Sequence, residues 1–362
     1  MRILIIGPAR SIALEQWVDE MTHRGHEVAI MSPDVPRPGL AALSDTTEAG
    51  PRLPMLRFIS RLFRIRRKVR EFKPDVVHGH GALDYGLWAV LAGHNPSLVS
   101  CWGSDVLVAP LRSRRLRWKV RYALRQADYV TATSVTLLDA AEQLAGRKLL
   151  GEAISWGVDT STFYPAEPNA GRQATVFLSV RALEPLYNID TIIRAFAPIA
   201  EMHSSARLVV AGKGSQDKRL EGLARELGIS DSVRFAGWVD QNQLPGLYRS
   251  ADVYLSVPSS DASAVSNLEA MASGLGIIAS NLPSTREWIR DGLEGLLVQH
   301  GDVDSLHEAM VRLMNDSRLR RRLADAARER VVSIGQRSRS MDRASDLYER
   351  LARGEALGSG RQ

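Results

Sequence analysis

A chain of 362 residues with 44% apolar and 24% charged residues has the composition of a globular protein and is too long for one ordinary core, so two domains are expected. Its single cysteine, Cys101, excludes an internal disulfide and a cysteine metal cluster and fits a reducing, cytoplasmic setting. No apolar run reaches the roughly 20 residues of a spanning helix, and the strand-like RILIIG follows Met1 where a signal peptide would need a longer apolar core, so a soluble protein is expected.

The net charge of +6 is one-sided. Residues 1–166 carry 22 Lys and Arg against 16 Asp and Glu, whereas residues 167–362 carry 25 of each. Much of the excess lies in RFISRLFRIRRKVREFK (57–73) and RSRRLRWKVRYALR (112–125). Both are predicted as helices with one apolar side: Phe58, Leu62, Ile65 and Val69 in the first, Leu116, Val120 and Leu124 in the second. Such faces are either simply solvated or docking surfaces for anionic lipid headgroups or an anionic acceptor. With little aromatic interleaving and no recognisable module, nucleic acid is not an expected partner.

In chain order the first half reads strand RILIIG, helix IALEQWVDEMTHRG, strand HEVAIMS, the basic helix, strand DVVHGH, helix DYGLWAVLAG, strand SLVSCWG and strand YVTATS with its helix. A Gly-, Pro-, Ser- and Thr-rich stretch over 155–173 is predicted as the inter-domain linker. The alternation then restarts with strand ATVFLSV and continues through ARLVVAG, VRFAG, DVYLSV, GIIAS and GLLV, with helices between. Alternating strands and helices imply a parallel sheet covered on both faces, here twice. The expected class is α/β: two doubly wound domains facing a central cleft, over 1–165 and 166–337.

The segment DASAVSNLE (261–269) follows a predicted buried strand and opens a helix. Small residues let main-chain N–H groups approach a ligand, and the helix start at Ala264–Asn267 offers donors and a positive dipole end for phosphate oxygens. Glu269 lies roughly 7 Å further along the helix, about the reach from a phosphate to its ribose, whose hydroxyls a carboxylate can accept. Asp261, on the other side, would face whatever the diphosphate carries. The spacing suits a nucleotide diphosphate sugar; Asp261 as a plain helix cap is the simpler alternative.

The run SSDASAVSNLEAMASGLGIIAS resembles the signature of family 4 retaining glycosyltransferases of the GT-B fold, an acid, seven residues, then Glu, followed by EAMA-x-G and a strand. The resemblance extends through SVRALEPLYNIDTIIRAF, VVAGKGSQ, VRFAGWV, RGHEVAI, PDVVHGH and WGSD. It implies that Glu269 binds the donor ribose, Asp261 meets hydroxyls of the transferred sugar and Arg181 pairs with the diphosphate. It also implies that Val265, Ser266 and Asn267 cradle phosphate, that Gly237, Trp238 and Val239 lie beside the base, and that a last helix, within 338–362, crosses back onto the first domain. The co-substrate would be a UDP- or GDP-type sugar, with no cofactor and no metal. The acceptor, a glycan, a lipid-linked or a small molecule, would meet Ser11 and Ile12 in the first turn, His80 and Trp102.

Three positions depart from the pattern. The first acid is Asp261–Ala262 where Glu–Gly is usual. The second diphosphate cation, usually Lys, falls near Tyr187, which leaves Lys213 beside Gly214 in AGKG as its substitute. Trp102 stands where His is usual before Gly, which leaves Asp105 and His80 as replacements. Arg181 as a surface partner of Glu184, and His80 as a packed strand-end histidine, are the competing readings. Asp302-Val303-Asp304 resembles a metal-binding D-x-D but reads better as a helix cap with Ser305 and Glu308. The expected chemistry is metal-independent same-face displacement, the leaving diphosphate being stabilised by Arg181, the helix start and main-chain donors. The alternatives are a nucleotide-sugar-binding protein without transferase activity and a GT-B epimerase. A dehydrogenase is argued against by IIGPARSIA, which lacks G-x-G-x-x-G.

Overall fold

The computed structural model describes residues 1–46, 54–167, 174–355 and 357; the end of the expected linker, from 168 to 173, lies outside the described residues. The chain divides into two compact units, residues 1–156 with 339–362, and residues 157–338.

The first unit is built on seven strands: β1 (Arg2–Ile6), β2 (Glu27–Ser32), β3 (Ser44–Thr46), β4 (Val76–His80), β5 (Ser97–Cys101), β6 (Tyr129–Ala132) and β7 (Gly151–Ala153). All pair in parallel in the order β3-β2-β1-β4-β5-β6-β7, with Ile3 opposite both Val28 and Val76. Every residue of β4 and β5 is buried, as expected for central strands covered by helices on both faces. The helix Arg337–Ala352 belongs to this unit from Arg339 onward. Its Met341, Ala344, Leu347 and Tyr348 share one core with Leu14, Trp17 and Val18 of the helix Ile12–His23.

The second unit holds β8 (Val176–Val180), β9 (Arg207–Ala211), β10 (Val233–Gly237), β11 (Val253–Ser256), β12 (Gly276–Ser280) and β13 (Leu296–Val298), parallel in the order β10-β9-β8-β11-β12-β13. The two-residue period of the strands divides its core. Phe177, Leu208, Val210, Val253 and Leu255 pack with the helix Ile189–Met202 on one face; Leu178, Val209, Tyr254 and Ile277 pack with the helix Val265–Ala272 on the other. Among the described residues no helix is long and apolar enough to cross a membrane.

The boundary expected at 165/166 falls earlier, at Trp156/Gly157. Residues 158–163 pack on the second unit: Val158 N–H donates to Gly335 O (2.8 Å), Asp159 binds the Ser161 and Thr162 hydroxyls, and Phe163 is buried. A loop-forming composition marks a loop without saying which core its apolar residues enter. The reading also passed over the edge strands β3 and β7, whose three residues are too few for an alternation, and the helix Ser317–Ile334.

Candidate functional site

In each sheet the chain winds outward from the middle in both directions, so two neighbouring strands lead to helices on opposite sides. These switch points lie between β1 and β4 and between β8 and β11. Open α/β sheets bind ligands beyond the strand C-termini at such points.

In the second unit Arg181 follows β8 and Asp261 follows β11. Arg181 Nη2 donates to Asp261 Oδ2 at 2.6 Å, its Nη1 donates to Ser266 Oγ at 3.2 Å, and its guanidinium lies 4.3 Å from the Tyr187 ring centroid. Burial by itself would lower the Arg181 pKa, but the charge and hydrogen bond of Asp261, with smaller contributions from Tyr254 and Tyr187, together outweigh it and the net shift is upward, so the charge is permanent. Arg181 therefore does not pair with Glu184, which accepts from the Ser215 N–H and hydroxyl. Asp261 is not a helix cap either: the N-cap of Val265–Ala272 is Ala264, with no side chain bonded to the helix start. Asp261 is held by its pair with Arg181, by the Ala262 N–H on Oδ1 (2.8 Å) and by Ser284 Oγ on its carbonyl (2.7 Å).

Glu269 and Asn267 face inward from the same helix and are nine-tenths or more buried. Glu269 Oε2 accepts from the fully buried Tyr248 hydroxyl at 2.8 Å. Burial raises the Glu269 pKa, and the Tyr248 hydrogen bond and the positive charge of Arg337 offset only part of that. Asn267 Oδ1 is buried without a hydrogen-bond partner among the described residues. A carboxylate and an amide oxygen thus lie within one turn of an uncapped helix start, beside a guanidinium.

The neighbouring loops are held by close main-chain approach. A Cβ on Gly212 would sit 2.0 Å from Arg181 O, and one on Gly214 2.3 Å from Leu183 O; Gly212 has φ +145°, which L side chains avoid. Arg181 and Leu183 donate in turn to Ala211 O and Lys213 O. Lys213 is exposed with no ion pair among the described residues, Trp238 is 61% exposed, and Val239 is half-buried. Val265 and Ser266 open the helix and are half-buried. Sequence reasoning missed Tyr248 altogether and marked Tyr187 only as the place where a cation is lacking; no local pattern marks either, since both act across the fold.

In the first unit the turn after β1 has Ser11 as N-cap, its Oγ accepting from Leu14 N–H (3.4 Å), with Ile12 as the first helical residue. His80 ends β4 and is 1% exposed, neither ring nitrogen having a hydrogen-bond partner among the described residues; burial lowers its pKa to about 3, so it is neutral. Its ring lies 3.9 Å from that of His78, 5.1 Å from Trp17 and 5.7 Å from Trp102 between centroids. His78 is bonded on both sides, to Tyr348 Oη (2.5 Å) and Ser100 Oγ (2.7 Å). Asp105, expected as a replacement for the missing histidine, has its oxygens taken by main-chain N–H groups of Ala82 (2.6 Å), Gly103 (2.8 Å) and Trp102 (3.1 Å). It ties the loops after β4 and β5 together; burial raises its pKa and these bonds partly offset the rise. Asp302 caps the helix Val303–Asn315 through Ser305 N–H (3.0 Å), and Cys101 is buried.

Two doubly wound α/β units, with charged groups gathered at one switch point and histidines and tryptophans at the other, define the class of two-unit GT-B proteins. Comparison with known proteins agrees. The family described as glycosyl transferases group 1 matches residues 161–330, and that described as glycosyl transferase 4-like matches residues 2–134. The N-acetyl-alpha-D-glucosaminyl L-malate synthase of Bacillus anthracis is 23% identical over 296 residues, 78% of this chain and 77% of that one. The phosphatidyl-myo-inositol mannosyltransferase of Mycobacterium leprae is 25% identical over 347 residues, 87% of this chain and 86% of that one. The crystal structure of Anabaena HepE in complex with UDP-glucose superimposes with a TM-score of 0.81 at 17% identity, over 97% of this chain and all of that one, and shares the fold. The chain belongs to the group 1, family 4-type glycosyltransferases and is a glycosyltransferase.

Proposed function

We propose that this enzyme is a retaining, metal-independent glycosyltransferase that moves a hexose-type sugar from a UDP- or GDP-sugar to an acceptor hydroxyl in glycoconjugate synthesis. The observation that carries the reading is the buried Glu269, held by Tyr248 one turn from an uncapped helix start and beside Arg181. Keeping a carboxylate buried with a raised pKa costs folding energy, and a ribose offering two hydroxyls is what would justify it. The main-chain N–H groups of Val265 and Ser266, with Lys213, would complete the phosphate site and Trp238 and Val239 the base side, the Asn267 N–H donating instead to Ala264 O at 3.0 Å. Anabaena HepE, crystallised with UDP-glucose, supports a nucleotide-sugar donor.

Arg181 and the helix start would stabilise charge on the leaving diphosphate. The bond from the anomeric carbon to the diphosphate breaks, the acceptor oxygen bonds to the same face, and its proton passes to the departing phosphate. Asp261 would orient sugar hydroxyls. On the acceptor side His80 is neutral and neither of its buried nitrogens is committed to a hydrogen bond among the described residues, with Ser11, Ile12 and Trp102 near the same strand ends, whereas Asp105 would position their loops. The basic helices Pro54–Phe72 and Arg114–Gln126 suit a protein peripheral to the anionic cytoplasmic face of a membrane.

The test is thermal shift with UDP, GDP, ADP and dTDP on wild type and Glu269→Ala, followed by assay of sugar transfer and donor hydrolysis. One nucleotide should stabilise the wild type, and Glu269→Ala should lose most of that shift; equal binding by both would overturn the ribose assignment. Tyr187 and Trp102, in place of a second cation and a histidine, favour a second reading as a donor-binding protein. Binding with neither transfer nor hydrolysis would decide for it.

A further inference from the structure

The helix Pro54–Phe72 carries a feature that neither donor nor acceptor chemistry uses. Between it and the helices Tyr85–Leu91 and Arg114–Gln126 lies a groove of about 1020 Å³ on the first unit. Its walls are Phe58, Leu62, Leu87, Trp88, Trp118 and Tyr122. The aromatic rings form two pairs, Phe58 with Trp88 at 4.6 Å and Trp118 with Tyr122 at 5.4 Å between centroids. Trp118 is 60% exposed, and Ile59, also lining the groove, is 55% exposed. An open, aromatic-walled channel of this kind is costly to leave wet.

The rim is basic. Arg57, Arg61 and Arg115 line the groove, and none has an ion-pair partner among the described residues. The Arg61 Nε is buried with no hydrogen-bond partner among the described residues. The one acidic residue of the lining, Asp84, is already bound by Lys119 at 3.1 Å. Three guanidiniums without an ion pair among the described residues, around an apolar channel, call for an occupant with an anionic end and an apolar body. A second copy of this surface is disfavoured, because a two-fold contact would set the same arginines against each other. Inorganic phosphate would satisfy the rim and leave the walls wet.

We propose that this groove binds the hydrocarbon chain of a single anionic amphiphile, its phosphate head on Arg57, Arg61 and Arg115 and its tail between the Phe58–Trp88 and Trp118–Tyr122 pairs. This is a site for one molecule, distinct from attraction of the basic helices to a membrane plane, and it is independent of the transferase reading because occupancy needs neither donor nor turnover.

The experiment is titration of the full chain with octyl, decyl and dodecyl phosphate, each below its critical micelle concentration, read by tryptophan fluorescence and calorimetry. One molecule should bind per chain, with affinity rising about fourfold per added methylene. Inorganic phosphate, which can meet the rim alone, should compete only at concentrations far above those of the alkyl phosphates, and decyltrimethylammonium should not bind. Trp118→Ala should weaken binding about tenfold. Arg57→Glu with Arg115→Glu should abolish the preference for phosphate over a neutral alkyl glucoside of equal chain length while leaving the glucoside bound. All three residues are exposed, and unchanged melting temperatures would establish that the variants fold. Binding to anionic vesicles without binding of monomeric alkyl phosphate would overturn the proposal in favour of surface attraction. A dimer in sedimentation that Trp118→Ala dissociates would overturn it in favour of self-association, and affinity independent of chain length would also sink it.

Discussion

Arg181 Nη2 and Asp261 Oδ2 are 2.6 Å apart across 80 residues of sequence, with side chains only 10% and 16% exposed. This pair bridges the switch point between β8 and β11 and puts the group that would grip a diphosphate against the group that would meet its sugar. An entering phosphate must therefore compete with Asp261 for the guanidinium. Asp261→Asn should bind the free nucleoside diphosphate more tightly than wild type while transferring sugar more slowly. It should also melt lower, since a mostly buried arginine left unpaired costs about 3 kcal/mol. Calorimetry with the nucleoside diphosphate beside steady-state transfer rates checks this, and weaker binding by the variant would refute the competition.

Glu269 supplies a test that separates function from packing. Its pKa is raised by burial, the Tyr248 hydrogen bond and Arg337 offsetting only part of the rise. A raised carboxylate pKa gives stability that is full below the ordinary value of 4.5 and lost as pH rises through the folded-state value. At pH 7 the empty protein therefore bears the cost of the charge. Glu269→Gln, which keeps an acceptor for Tyr248, should melt at the same temperature or higher while losing the nucleotide-induced shift. A large drop in melting temperature would instead make Glu269 a structural residue. Nucleotide affinity should fall as pH drops through the raised pKa. Tyr248→Phe removes a lowering contribution and should move that fall to higher pH.

His80 predicts acid sensitivity. Burial lowers its pKa from 6.5 to about 3. A depressed histidine pKa means that the unfolded chain takes up the proton first, so this stability is present above pH 6.5 and is lost as pH falls toward 3. Urea melts between pH 7 and 4.5 should show wild type losing stability by about 1.4 kcal/mol per pH unit more than His80→Gln below pH 6. Parallel curves for the two proteins would contradict a neutral buried His80.

The last helix is anchored by polar as well as apolar contacts. Tyr348 Oη accepts from Trp17 Nε1 at 3.0 Å and meets His78 Nδ1 at 2.5 Å, all within the first unit's core. Tyr348→Phe leaves both ring nitrogens unsatisfied and should cost about 2–4 kcal/mol, measured by chemical denaturation. A cost under about 0.5 kcal/mol would mean that apolar packing alone holds the helix.

Gly212 is a steric test of the donor-side loop. Gly212→Ala would set a methyl 2.0 Å from Arg181 O at a φ of +145°, so the loop after β9 must shift. Nucleotide binding should weaken about tenfold or more while secondary structure by circular dichroism is unchanged; unaltered binding would exclude this loop from the site.

Much of this was legible in the chain itself. Runs such as VFLSV and RLVVA, each short, β-branched and followed by an amphipathic helix, dictate buried parallel strands because only a sheet covered on both faces buries consecutive side chains, as it does over Phe177–Ser179 and Leu208–Ala211. DASAVSNLE announced a helix start with a carboxylate one turn on, because helix geometry is local and periodic. Tertiary structure alone decided that Asp261 is held by Arg181 rather than capping a helix, that Tyr187 stacks on that guanidinium where a second cation was sought, and that Asp105 is used up by three main-chain N–H groups. It also decided that Tyr248, 21 residues before Glu269, holds that carboxylate, and that residues 158–163 join the second core. The physical reason is range. Periodicity and capping act over one or two turns of chain, whereas partners of buried polar groups are chosen by which strand ends the sheet order brings together, and no stretch of sequence carries that order by itself.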